Sequence, residues 1–222
     1  VIELPAVEFA NWQIIHNSPG TPVDVYVNDQ LAIDDFEYTS ATNLTQIVAG
    51  VELRIDIAAA NSSSSADAIF TETVTLENYR NYLVFAEGIV GDMDAPFGLS
   101  ISDNVKLETD DPDQVEFLIH HGSPDAPSID LGERNGNLFL TDLSFRETSE
   151  EYLALDPRNY FLSLYPTGTQ DEFKTYLAGL NGFDGLFGVI YFTALVCNYV
   201  SEDEFRLFLV LSNGQTFEMP EV

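Results

Sequence analysis

Basic residues are scarce in this chain of 222 residues: eight lysines and arginines face 37 aspartates and glutamates, for a net charge of −29. Only Lys106 and Lys174 are lysines. Nucleic acid is thereby excluded as a partner, because neutralising phosphates takes clustered bases. Anionic membrane surfaces are disfavoured for the same reason. The single cysteine, Cys197, excludes an intrachain disulfide, and its apolar setting reads as a buried small hydrophobe. No apolar run approaches the roughly 18 residues of a membrane-spanning helix. Long amphipathic helical patterns are missing too. The chain starts at Val1 rather than Met and shows no signal peptide, as expected of a processed or trimmed product.

What the sequence does have is hydrophobic content of 45% and aromatic content of 12%, enough for packed cores. It also says one thing twice. His16-Asn-Ser-Pro-Gly-Thr-Pro22-Val-Asp24 returns as His121-Gly-Ser-Pro-Asp-Ala-Pro127-Ser-Ile-Asp130. A period of about 100 residues is too long for a solenoid repeat and fits two sequential domains of one fold. The predicted organisation is a first repeat over 1–107, with an extra N-terminal strand at 1–8, an acidic linker at 108–114, and a second repeat over 115–222.

Period-two alternation predicts short strands near 9–15, 23–27, 43–48, 51–58, 68–76, 81–88 and 97–102, divided by turn signals such as Ser18-Pro19-Gly20 and Asn28-Asp29. The second repeat continues with 115–119, 128–131, 152–155, 160–165, 173–180, 187–195, 205–211 and 216–219. This count predicts an all-β protein of two tandem immunoglobulin-like antiparallel β-sandwiches, in the architectural sense only, because neither repeat has the paired cysteines of true immunoglobulin domains.

The doubled motif, the strand order and the stretch Ala60 to Ala68 resemble a bacterial family known as domain of unknown function 4397, whose motif reads His-Ala-Ser-Pro-Asp-Ala-Pro-x-Val-Asp-Val. The second copy, His121 to Leu131, is close to it. The first departs, with Gly20 in place of the first Asp and one residue fewer before Asp24. The resemblance implies export to the bacterial envelope or beyond it, often beside adhesion modules, and supplies no catalytic residues.

The motif reads as a rigid corner. Pro19 and Pro124 fix φ, Ser18, Ser123, Asp24 and Asp130 can bond nearby amides, and His16 and His121 can bridge a buried carbonyl. As a Ser/His catalytic pair the motif is poor, since proline follows the serine where an oxyanion-hole amide is wanted. No catalytic residues and no enzymatic activity are expected. The three histidines lack transition-metal spacing. Calcium is the cofactor to consider, with Asp110, Asp111 and Asp113 the first candidate and the loops at Asp92–Asp94 and Glu202–Glu204 behind them, although acidic loops are ordinarily just solvated. A sugar-binding platform would need exposed aromatics, and Trp12, Tyr26, Tyr38, Tyr79 and Tyr199 read equally well as core.

The N-terminal segment has no counterpart in the second repeat. It either adds an edge strand to its own domain or donates one to a neighbour through Val1, Ile2, Leu4 and Val7, which would build a head-to-tail polymer. The expected function is an exported, non-enzymatic structural or adhesive module of a bacterial surface, its partners being further copies of itself or a surface glycan or protein. The alternative is a monomeric ligand- or glycan-binding module.

Overall fold

A computed structural model describes residues 7–194 and 205–222. Cys197, Tyr199 and the acidic loop Glu202–Glu204 lie outside the described residues, as do Val1, Ile2 and Leu4. The chain divides into two compact units, Val1–Val105 and Lys106–Val222.

The first unit holds β1 (Phe9–Asn17), β2 (Val23–Val27), β3 (Gln30–Phe36), β4 (Thr45–Val48), β5 (Glu52–Ala59), β6 (Phe70–Thr75), β7 (Asn81–Glu87) and β8 (Gly98–Ser102). They form two sheets, in the orders β4-β1-β7-β8 and β3-β2-β5-β6. The second unit holds β9 (Val115–His121), β10 (Ile129–Glu133), β11 (Leu138–Leu143), β12 (Leu153–Leu155), β13 (Asn159–Pro166), β14 (Lys174–Gly179), β15 (Phe187–Ala194), β16 (Phe205–Leu211) and β17 (Thr216–Met219). Its sheets run β12-β9-β15-β16-β17 and β11-β10-β13-β14.

Each unit is a β-sandwich, because inward residues of both its sheets meet in one apolar core. Trp12, Ile14, Val25, Leu53, Ile55 and Val84 meet in the first. Phe117, Ile119, Leu131, Leu162, Ile190 and Phe192 meet in the second. The strand order is not that of an immunoglobulin constant domain, where the first two strands share a sheet. Here the chain leaves β1 at once for the opposite sheet, returns as β4 antiparallel to β1, crosses again as β5 and β6, and comes back as β7 parallel to β1, Trp12 opposite Tyr82. The pair β9 and β15 repeats this, with Ile119 opposite Ile190. The remaining ladders are antiparallel. A parallel pair needs a long crossover, and the opposite sheet supplies it.

Two strands were not foreseen from the apolar pattern, β3 and β11. Both are terminal strands of their sheets and largely exposed, so little apolar alternation is written into them. The turn before β3 was legible: Asn28 and Asp29 adopt φ of 50° and 67°, the left-handed pair that a two-residue hairpin requires.

The acidic stretch 108–114 is fastened to the second unit by a buried carboxylate. Glu116 of β9 accepts the backbone N–H groups of Asp110 (2.9 Å) and Asp111 (3.3 Å) and the Lys106 ammonium (2.7 Å). Lys106 also covers the Tyr152 ring, 4.6 Å from its centre. Glu116 is 2% exposed, so its removal takes away the one buried acceptor that gathers these three donors. Glu116→Ala is expected to cost about 3 kcal/mol in urea denaturation. Arg80→Ala, which breaks only exposed pairs to Glu77 and Asp103, is expected to cost less than about 1 kcal/mol.

Candidate functional site

The doubled motif forms a buried corner between the first and second strands of each unit. At the first corner the Ser18 backbone N–H donates to His16 Nδ1 (3.3 Å), and at the second the Ser123 N–H donates to His121 Nδ1 (3.3 Å). An accepting Nδ1 puts the ring proton on Nε2. The backbone around each histidine is bonded alike. His16 N–H donates to Ser40 O and its carbonyl accepts Thr39 N–H, while His121 does the same with Glu147 and Arg146. Thr39 and Arg146 both take left-handed φ, 66° and 72°.

The serine hydroxyls face away from the imidazoles. Ser18 Oγ donates to Gly88 O (2.7 Å) and Ser123 Oγ to Asp125 Oδ1 (3.0 Å). The prolines Pro19 and Pro124 follow and turn the chain. The motif aspartates then hold the neighbouring strand. Asp24 Oδ1 accepts the Asp35 N–H (3.1 Å) and Asp130 Oδ1 the Asp142 N–H (2.8 Å). Asp35 and Asp142 are left-handed, φ 50° and 58°, where β3 and β11 slip register against β2 and β10. Each aspartate thus caps a bulge. The other oxygen ties in a third segment, through the Ser62 hydroxyl (2.5 Å) for Asp24 and Gly168 N–H (3.1 Å) for Asp130. The serine run beside Asp24 is accordingly bonded: Ser65 Oγ donates to Asp29, and Ser63 through both its amide and hydroxyl to Asp67.

The two corners differ at one atom. His121 Nε2 bonds Pro127 O at 3.0 Å. The first corner is one residue shorter: Pro22, directly before β2, takes the place of Ser128, and their carbonyls accept the matching Ala60 and Thr167 N–H groups. His16 Nε2 is left buried with no hydrogen-bond partner, its ring against Phe36 (5.6 Å) and Tyr38 (6.2 Å). Burial lowers the His16 pKa from 6.5 to about 4.

The linker aspartates do not converge. Asp110 pairs with Lys106, and Asp111 Oδ1 accepts the Asp113 N–H (2.9 Å). Asp92 likewise caps its own turn, accepting the N–H groups of Asp94 and Ala95. Among the described residues, the three carboxylates that do come within 4.8 Å are Asp24, Asp34 and Asp35, a grouping the spacing did not suggest. Asp24 is already bonded through both oxygens. Of the aromatic residues considered for a sugar platform, Trp12 and Tyr26 are buried and Tyr79 is 84% exposed. Val7, the described member of the subunit-contact set, is exposed ahead of β1.

The described residues of the second unit line a cleft and a smaller pocket. A cleft of about 640 Å³ separates β11 from β12 and the segment before it, with Phe139, Leu140 and Tyr152 below and carboxylates above. A smaller apolar pocket of about 280 Å³ is walled by Leu177, Leu180, Phe183, Leu209, Phe217 and Met219.

These features define an acidic, all-β sandwich protein with histidine–aspartate corners. The chain belongs to the family described as domain of unknown function DUF4397, whose sequence model matches residues 10–132, from β1 through β10, and so includes both corners. No curated protein matches the chain.

The orphaned His16 sets a pH dependence. Its folded pKa lies below its unfolded value, so the unfolded chain binds more protons between pH 6.5 and 4. The stability it permits is complete above that window and drains away as pH falls through it. Between pH 7.5 and 5 the loss should be about 2 kcal/mol, and His16→Gln, uncharged throughout, should flatten that part of the urea-denaturation profile.

Proposed function

We propose that this chain is a non-enzymatic structural or adhesive module, exported to a bacterial cell surface. The observation that carries this reading is the use made of its one recurring polar motif. Every motif hydroxyl and carboxylate described above is bonded to the fold itself, and the imidazoles meet backbone amides rather than the serine hydroxyls. A surface with 37 acids and eight bases suits a protein that stays dispersed in salty water outside the cell.

The finer form of the proposal is a filament subunit that hands its N-terminal strand, residues 1–8, to the next copy. Strands that end their sheets among the described residues, such as β8 and β6 in the first unit, are the kind of acceptor such an exchange needs. The second reading, a monomeric ligand- or glycan-binding module, is favoured by the cleft beside β11.

Negative-stain electron microscopy of the whole chain, with and without calcium, separates them. Filaments or rings that vanish when residues 1–6 are deleted are expected of the structural subunit. Uniform monomers under both conditions would sink polymerisation and leave the binding module.

A further inference from the structure

The cleft of the second unit has the form of a strand-binding site. One wall is β11, from Phe139 to Leu143, and β11 ends its sheet among the described residues. The other wall is β12 with the residues leading into it, and β12 ends the opposite sheet. Both walls therefore offer strand backbone on their free edges, which is what an added strand pairs with. The floor is apolar, since Ile119 and Leu143 belong to the core and Leu140 and Leu153 pack on it. The rim is acidic: Asp142, Glu147, Glu150 and Glu151 line it, and no lysine or arginine does.

Successive side chains of an extended segment point to opposite faces. A segment lying here would put one set toward the apolar floor and the other toward the carboxylates. We infer that the cleft between β11 and β12 docks an extended basic segment of another protein, in which apolar residues alternate with lysine or arginine, by strand addition. Charge decides the occupant. A second copy of this chain is a poor candidate, because its N-terminal segment Val1–Phe9 carries Glu3 and Glu8 and no base. Nor is a free anionic sugar or lipid suited to a rim of four carboxylates. The inference is independent of whether the chain polymerises.

The probe is a fluorescent octapeptide of alternating lysine and valine, titrated into the whole chain and followed by anisotropy at about 50 mM salt, where surface attraction is only partly screened. Saturable one-to-one binding is expected. Methylating the backbone nitrogens on alternate residues keeps the charge and removes the ladder donors, and should weaken binding at least tenfold. That arm uses the unaltered chain. Glu150→Lys with Glu151→Lys should weaken it by at least as much, whereas Glu52→Lys with Asp94→Lys, the same charge change on exposed positions of the first unit, should alter it less than threefold. Absence of binding overturns the inference. So does equal affinity for the methylated peptide, or equal loss in both double variants, since either means diffuse attraction to an acidic surface.

Discussion

A buried carboxylate two or three residues past a proline holds each unit together. Asp24 and Asp130 are 2% and 3% exposed, and each ties three pieces of chain: its own strand, the bulge in the next strand, and a more distant loop. Without that carboxylate the left-handed residues Asp35 and Asp142 would lose the acceptor for their N–H groups, and a strained backbone persists only where its surroundings over-determine it. The corner also explains the topology. A chain turned out of its sheet at His16 or His121 cannot form a hairpin there, so the first strand takes its neighbours from later returns of the chain, first an antiparallel one (β4 or β12) and then a parallel one (β7 or β15).

The second physical theme is the disposal of positive charge. Arg54, Arg80, Lys106, Arg134, Arg158, Lys174 and Arg206 each pair with a carboxylate, and Arg146 also lies over the Phe145 ring. Most of these pairs are exposed and contribute little to stability individually. Their effect is on recognition: the cations are committed to the fold, and the remaining acid faces solvent. The net charge of −29 repels anions and attracts cations. Glu116 and Asp56 are the buried acceptors among these pairs, taking Lys106 and Arg54.

The corners show how one motif can be kept while its environment drifts. The second closes its imidazole with Pro127 O; the first, one residue shorter, cannot, and carries an unpaired Nε2 beside two aromatic rings. A buried donor without an acceptor is costly, and the neutral imidazole is the cheaper of its two forms. Burial holds the His16 pKa down to about 4, so protonating this imidazole works against the folded first unit.

The sequence by itself determined the all-β class and most of the strands, because buried strands write alternating apolar residues into the chain, as at β2, β16 and β17. It also marked the corner residues, because proline and hydrogen-bonding side chains at fixed spacing act locally. The family resemblance it suggested is matched over residues 10–132. Only the tertiary structure decided the rest. Strands β3 and β11 escaped notice because exposed edges need no apolar pattern. Asp110, Asp111 and Asp113 looked like a cation loop until Lys106 and backbone amides were seen among them, whereas Asp24, Asp34 and Asp35 converge only because a bulge bends β3 back toward β2. The cleft between β11 and β12 was invisible for the same reason: its walls belong to different sheets, and proximity across a sandwich leaves no period in the sequence.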